Sequence, residues 1–158
     1  IYLDPDVYVF SNFDYIFKQL DTHLILLTPH ILTITTEFKG ERSERGILST
    51  GVFNLGFLAL KNNKKIDQFL CWWEERLKVN CFNDILDSTF TDQKWFDLVP
   101  CFFNSTELKV SDNLGLNVAP WNYFEREIEP SEKGFLVKLR SGVFQNSIEN
   151  DKLVFVHF

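Results

Sequence analysis

The sequence predicts an α/β fold in which a mixed sheet lies between helices. Short aliphatic runs, of which residues 23–28 are the clearest, are typical of strands that are buried on both faces. Elsewhere apolar side chains recur at spacings of three and four residues, most regularly over 64–79, and this period is typical of amphipathic helices. Because the two kinds of segment alternate along the chain, we expect one layered domain over residues 1–158.

Apolar runs rich in β-branched and aromatic residues predict the strands. In order along the chain they are 1–3, 7–10, 23–28, 51–60, 116–118, 134–139 and 153–158. The first run is expected to be a buried strand. Residues 51–60 are expected to be a central strand, because their two glycines let a strand pass close to a neighbouring element.

Helical spacing of apolar residues predicts the helices, and polar residues mark their ends. Helices are predicted over 13–20, 64–79 and 92–99. Ser11 and Asn12 are candidate N-caps for the first helix, and Thr91 is a candidate N-cap for the third, which is expected to end at Pro100. The mixed-charge stretch 39–45 has little apolar content and is therefore predicted to be a loop.

Composition restricts the classes of partner. The 158 residues are 45% hydrophobic and 24% charged, which is typical of a globular domain with one core. The formal net charge is -6, and no long Lys/Arg run is present. Because phosphate backbones require clustered cations, nucleic acid is not expected as the main partner.

Cysteines, hydropathy and the chain ends bear on the compartment. Cys71, Cys81 and Cys101 lack the spacing of a zinc site, and Cys71 and Cys101 lie in apolar runs, so buried thiols in a reducing compartment are expected. No apolar stretch approaches the roughly 20 residues needed to cross a bilayer, so a cytoplasmic location is expected. Apolar runs at both ends and the absence of Met lead us to expect a part of a longer protein.

Asp4 and Asp6 are the clearest candidate metal ligands. They follow the first predicted strand, and Pro5 fixes the turn between them. Two carboxylates this close repel each other unless a cation lies between them, and Mg²⁺ or Mn²⁺ would accept both while keeping positions open for substrate phosphates. The alternative is that Asp-Pro-Asp is simply a stable turn.

Several segments carry a resemblance to a known family: YLDPDVYVFSNFD, GVFNLGFLAL, TDQKW, NVAPWN and the terminal VFVHF. They resemble bacterial sugar-nucleotide glycosyltransferases of the GT-A fold, closest to the glycogenin-like retaining group. The resemblance spans nearly the whole chain. It implies a GT-A-like mixed sheet flanked by helices, with the N-terminal nucleotide-binding half of that fold missing from these residues.

The resemblance implies a metal site and a donor site. In this family an acidic pair binds the metal and, through it, the nucleotide diphosphate, and Asp4 and Asp6 match that pair. A late histidine is the third ligand, and His157 matches it, although a histidine on an apolar strand is also a common core residue. Asn54 and Gly56 match residues that contact the donor sugar; alternatively, they satisfy backbone groups and permit close packing.

The resemblance also implies residues beside the reacting sugar. Asp92 and Gln93 match an Asp-Gln pair at the start of a helix and are the predicted catalytic residues, while helix capping is the alternative interpretation for Asp92. Trp121 either stacks on a sugar face or fills the core.

The implied activity is the metal-dependent transfer of a sugar from a nucleoside diphosphate to the hydroxyl of a glycan or other acceptor. The expected cofactor is Mn²⁺ or Mg²⁺. Bacterial relatives build polysaccharide, which implies work at the inner face of the membrane without a transmembrane segment. The alternative is a non-catalytic glycan-binding or assembly domain derived from the same fold. Because segments flanking the acidic pair and the late histidine in the family are missing here, we expect these residues alone to transfer sugar slowly or not at all.

Overall fold

A computed structural model describes residues 1–34, 37–84, 86–141 and 150–158. The helices of these residues are α1 (Asp14–Thr22), α2 (Glu44–Thr50), α3 (Lys64–Asn80) and α4 (Val99–Phe102), with 3₁₀ turns at Gln93–Leu98 and Pro120–Asn122. The strands are β1 (Tyr2–Leu3), β2 (Val7–Val9), β3 (Ile25–Leu27), β4 (Phe57–Leu60), β5 (Asn83–Asp84), β6 (Thr89–Phe90), β7 (Leu108–Val110), β8 (Arg126–Ser131), β9 (Gly134–Leu139), β10 (Asp151–Lys152) and β11 (Phe155–His157). The chain is thus a mixed α/β structure with small sheets.

The main sheet has four strands in the order β1-β4-β3-β7. Strand β4 runs antiparallel to both β1 and β3, whereas β3 and β7 are parallel, so the sheet is mixed, as predicted. Strand β3 lies inside it, and all three of its residues are buried. This burial explains why residues 24–27 are continuously apolar instead of alternating.

Helices cover both faces of this sheet. Ile25 and Leu27 of β3 belong to one apolar cluster with Phe69 of α3. Leu26 belongs to a second cluster with Ile16 of α1. Because successive strand residues point to opposite faces, α3 and α1 lie on opposite sides of the sheet. Each large apolar side chain buried in this way contributes about 1.5–3 kcal/mol to folding.

A second pair of strands joins the two ends of the chain. Strand β11 runs antiparallel to β2, with Phe155 opposite Val9 and His157 opposite Val7. On its other side β11 forms a parallel bridge through Val118. Residues 116–118 therefore do not form the predicted strand, but they do fix β11 through the bond from the His157 N–H to the Val118 carbonyl, 2.9 Å.

The prediction of α3 is confirmed almost to the residue, whereas α2 was missed. Ser43 accepts a hydrogen bond from the Gly46 N–H through its side chain and so begins a helix inside the stretch predicted as a loop. At α1 the predicted caps are wrong. Phe13 occupies the N-cap without a side-chain bond, and Ser11 instead donates to the Leu153 carbonyl, 2.8 Å.

Two further boundaries differ from prediction. Only Phe57–Leu60 of the segment 51–60 is a strand, because the preceding residues turn around the candidate site. Pro100 does not end the third helix. It lies in the first turn of α4, where its missing N–H leaves no helical bond unmade.

Burial differs from prediction at the amino terminus and at the cysteines. Tyr2 is 54% exposed, because β1 lies at the edge of the sheet. Cys71, Cys81 and Cys101 are all exposed, since the apolar runs around them direct other side chains inwards. Within the described ranges no helix has both the length and the apolar character needed to span a membrane.

Candidate metal centre

The two acidic residues lie on one tight turn between β1 and β2. The Asp4 N–H donates to the Gly56 carbonyl at 2.8 Å, which fastens the turn to the segment before β4. The Val7 N–H donates to the Asp4 carbonyl at 3.1 Å and closes the turn around Pro5. Asp4 is half-buried and Asp6 is exposed, so both carboxylates are held at the protein surface.

His157 brings a third donor to these carboxylates. Its position on β11, opposite Val7, places the imidazole beside the turn. The Nε2 atom is 3.2 Å from Oδ1 of Asp6. Each of the three residues Asp4, Asp6 and His157 offers one donor atom, and these three atoms lie within 4.8 Å of one another. The predicted metal ligands are therefore brought together, although His157 is far from the two aspartates in sequence.

The other nitrogen of His157 faces two amide oxygens. Nδ1 lies 3.0 Å from Oδ1 of Asn54 and 3.3 Å from Oδ1 of Asn117. A neutral imidazole carries one proton, and an Nδ1–H shared by these oxygens leaves the Nε2 lone pair directed towards Asp6. The donor set then consists of two carboxylate oxygens and one imidazole nitrogen, which fits a divalent cation, with Asn54 orienting the histidine.

Gly56 makes room for the histidine. A Cβ atom on Gly56 would overlap with Cε1 of His157 and lie 2.6 Å from Nδ1. The interpretation of Gly56 as a site of close packing is therefore supported, with the imidazole as the neighbour. Asn54 is also buried, and its N–H donates at 2.9 Å to the carbonyl of Thr28, so the residue that follows β3 positions it.

Negative charge is concentrated around the turn. The Tyr2 hydroxyl donates to Oδ1 of Asp4 at 2.6 Å, and this bond raises the pKa of Tyr2 above its ordinary value. Burial and the charges of Asp4, Asp92 and Asp6 raise that pKa further. Asp92 is thus close enough to Tyr2 to contribute to the field of the site, and a cation would relieve this concentration of charge.

Asp92 and Gln93 lie at the start of the 3₁₀ turn with different surroundings. The carboxylate of Asp92 accepts a bond from the Thr91 hydroxyl at 3.1 Å and caps no backbone N–H of the turn, which weakens the capping interpretation. Gln93 is buried: its oxygen accepts from the Leu55 N–H and its nitrogen donates to the Thr50 carbonyl, both at 3.0 Å. Gln93 therefore holds the segment that carries Asn54.

Trp121 packs directly behind the histidine. Its ring centroid is 5.1 Å from that of His157 and 5.6 Å from that of His30, both edge-on. The side chain is 7% exposed, which agrees with the core interpretation. On the indole lies the guanidinium of Arg42, 5.6 Å from the ring centroid.

Sequence reasoning missed Asn117 and His30. Asn117 is fully buried with a φ of 53°, and asparagine is one of the few residues that adopts this left-handed conformation readily. Burial lowers the pKa of His30 to about 4. In the described part of the chain, Nε2 of His30, Nδ2 of Asn117 and Nε1 of Trp121 are buried without a hydrogen-bond partner. The available sequence signal for this polar cluster was Asn117, which lies shortly before the 3₁₀ turn that contains Trp121.

No protein-family model matches the chain, and no solved structure matches it. The chain is 26% identical over 158 residues to YfnF of Bacillus subtilis (strain 168), an uncharacterized protein. The match covers 99% of this chain and 48% of YfnF, so the chain spans about half the length of that relative. The match to YfnF therefore assigns neither a family nor an activity to this chain.

Proposed function

We propose that this chain carries the metal and donor site of a GT-A glycosyltransferase, which moves a sugar from a nucleoside diphosphate to an acceptor hydroxyl, with retention of configuration. The observation that carries the proposal is the grouping of donor atoms from Asp4, Asp6 and His157 within 4.8 Å. The mixed sheet with helices on both faces and the family-like segments of the sequence support it.

The donor set favours Mn²⁺ over Mg²⁺. Mg²⁺ prefers a shell of oxygen ligands, whereas Mn²⁺ accepts carboxylates together with an imidazole nitrogen. Three protein ligands leave coordination positions that the donor's diphosphate oxygens can fill. When bound, such a cation stabilises the negative charge that develops on the departing diphosphate.

The chain's own residues divide the remaining tasks. Asp4 and Asp6 hold the cation, and Asn54 fixes the ring of His157 so that Nε2 faces them. Asp92 is the proposed residue beside the reacting sugar. Gln93 acts by holding the backbone next to Asn54 through its two bonds. Work at the inner face of the membrane in polysaccharide synthesis is part of the proposal and follows from the family resemblance.

Calorimetric titration of the full-length protein tests the proposal. Mn²⁺ is titrated first, followed by a panel of nucleotide sugars with and without a chelator. We expect donor binding only with Mn²⁺ present. Because each aspartate supplies one of three ligands, Asp4→Asn and Asp6→Asn should each weaken Mn²⁺ binding about 100-fold or more. The exposed Asp21→Asn is the matched control and should bind Mn²⁺ normally.

The alternative of a non-catalytic glycan-binding domain predicts a different result. Such a domain would bind oligosaccharides in the presence of the chelator and would not turn over any nucleotide sugar. That outcome, or Mn²⁺ affinity that survives both aspartate substitutions, would contradict the proposed enzyme.

A further inference from the structure

The charges of the candidate site do not balance once a donor is bound. Two carboxylates neutralise one divalent cation, and His157 in its neutral form adds no charge. The diphosphate of a nucleotide sugar then adds about two negative charges at neutral pH. On the proposed function, the site therefore requires a further positive charge next to the diphosphate.

Arg42 is a cation that contacts the same indole as the candidate metal ligand His157. Its guanidinium carbon is 5.6 Å from the ring centroid of Trp121, whose ring is packed edge-on against His157. One indole thus contacts both the guanidinium and the candidate metal ligand. A guanidinium that lies on an aromatic face can still donate hydrogen bonds, because its N–H groups point outwards in the plane of the guanidinium.

Hydrogen bonds hold Trp121, the residue on which Arg42 packs, in a fixed position. The side chain of Asn122 accepts from the Ala119 N–H at 2.9 Å and donates to the carbonyls of His30 and Asn117 at 3.2 and 2.9 Å. These bonds lock the 3₁₀ turn that carries Trp121. Gly40 lies close as well, since a Cβ there would be 3.0 Å from the Trp121 carbonyl oxygen. The segment that contains Gly40 and Arg42 is therefore packed against the 3₁₀ turn that carries Trp121.

The charge of Arg42 has no carboxylate partner within ion-pair distance among residues 1–34, 37–84, 86–141 and 150–158. Two lysines behave differently: Lys39 pairs with Glu37, and Lys94 pairs with Asp97 at 2.7 Å. The positive charge of Arg42 also reaches the interior, where it adds to the effect of burial in lowering the pKa of His30. A guanidinium that shares an indole with the candidate ligand His157 is suited to an anion that extends from the cation site.

We propose that Arg42 binds the diphosphate of the nucleotide-sugar donor. The inference rests on the proposed function and adds to it a specific phosphate contact on the side of Trp121. The planar guanidinium donates two parallel hydrogen bonds to phosphate oxygens, which a lysine ammonium cannot do in the same geometry.

Binding of nucleoside diphosphates by the full-length protein tests this contact. With Mn²⁺ saturating, uridine, guanosine and thymidine diphosphates are titrated by calorimetry, together with the matching nucleosides. For the diphosphate that binds best, we expect Arg42→Gln to weaken affinity about 10- to 100-fold and Arg42→Lys to weaken it less. Nucleoside affinity and Mn²⁺ affinity without nucleotide should stay unchanged. Arg45→Gln, an exposed arginine at the start of α2, is the matched control and should have no effect.

Each other outcome overturns the inference in a distinguishable way. Equal diphosphate affinity in Arg42→Gln and the wild type would contradict the contact alone. Equal losses in Arg42→Gln and Arg45→Gln would indicate a general charge effect instead of a contact. A parallel loss of Mn²⁺ affinity in Arg42→Gln would indicate a structural role through Trp121 and His157. If the wild type binds Mn²⁺ and none of the diphosphates, the proposed function fails together with the inference.

Discussion

Gly56 and His157 are packed so closely that no side chain fits between them. A Cβ atom on Gly56 would overlap with Cε1 of the imidazole and lie 2.6 Å from Nδ1. The same ring nitrogen is 3.0 Å from Oδ1 of Asn54, two residues before the glycine. The segment before β4 thus provides both the space for the histidine and the hydrogen bond that orients it.

Replacing Gly56 by alanine should displace the histidine. We expect Gly56→Ala to lower the free energy of unfolding by about 1–3 kcal/mol, because the added methyl group must push the buried ring or the backbone aside. It should also weaken Mn²⁺ binding. Urea unfolding and metal titration measure the two effects.

The matched control for this substitution is Gly46→Ala in α2. There the nearest atom to a new Cβ is the Ser43 hydroxyl at 3.4 Å, so alanine should stabilise the helix by about 0.5–1 kcal/mol. Unchanged stability and unchanged metal affinity in Gly56→Ala would contradict the close packing described above.

Removing the side-chain amide of Asn54 should loosen the histidine without removing a ligand. We expect Asn54→Ala to weaken Mn²⁺ binding about 10- to 100-fold, because the bond to Nδ1 fixes the ring and its proton. Asn54→Asp keeps an oxygen acceptor and should retain more affinity than the alanine variant. Calorimetric titration with Mn²⁺ measures both, and the exposed Asn12→Ala serves as the control. Wild-type affinity in Asn54→Ala would show that Asn54 does not position the ligand.

The buried ion pair of Glu125 and Arg126 should be essential for stability. The Glu125 carboxylate accepts from the Leu32 N–H and from the Thr33 N–H and hydroxyl, and lies 3.2 Å from Nε of Arg126. Glu125→Gln removes the carboxylate that is paired with a buried guanidinium, so we expect a loss of about 3–5 kcal/mol in urea unfolding.

An exposed pair provides the comparison for this prediction. Glu75 and Lys78 on α3 are 2.6 Å apart at the surface, where solvent screens their attraction. Glu75→Gln should leave the unfolding transition where it is. Similar unfolding midpoints for Glu125→Gln and Glu75→Gln would refute the structural importance of the buried pair.

Stability should fall in mild acid because of His30. Burial lowers the pKa of His30 from 6.5 to about 4, against opposing contributions from the Val52 carbonyl and Asp97, while Arg42 adds to the decrease. The unfolded chain therefore takes up a proton near pH 6.5 that the folded chain refuses until about pH 4. The stabilisation is complete above pH 6.5 and decreases as the pH falls towards 4, by about 3 kcal/mol in total.

Urea unfolding at pH 7 and pH 5 checks this dependence. His30→Gln should reduce the difference between the two pH values relative to the wild type, because the substituted residue does not titrate. A variant that retained the whole difference would assign it to other groups.

Local patterns were sufficient to predict Asp4 and Asp6 as candidate metal ligands and to predict the longest helix. Helix α3 has a regular apolar period, and its observed bounds are Lys64–Asn80. Asp4 and Asp6 were identified because two acids beside a proline turn repel each other. His157 could be connected to them only through the family resemblance, since β11 pairs with β2 across almost the whole sequence.

Other features depend on contacts that no local pattern contains. Gln93 reads as a candidate site residue in sequence, but its amide is occupied by the backbone of Thr50 and Leu55. Glu125 and Arg126 look like ordinary surface charges, yet both are buried. In each case the partners come from segments distant in sequence, and only tertiary structure determines them.

The pairing of β2 with β11 also has a consequence for folding kinetics. Ser11 bonds to the carbonyl of Leu153, a residue 142 positions away, and the entropy of closing so long a loop must be offset before this edge of the fold exists. Asp4 and Asp6 are synthesised before His157, so the three candidate donors come together only when β11 has paired with β2. On the proposed function, cation affinity would then report that β11 has docked.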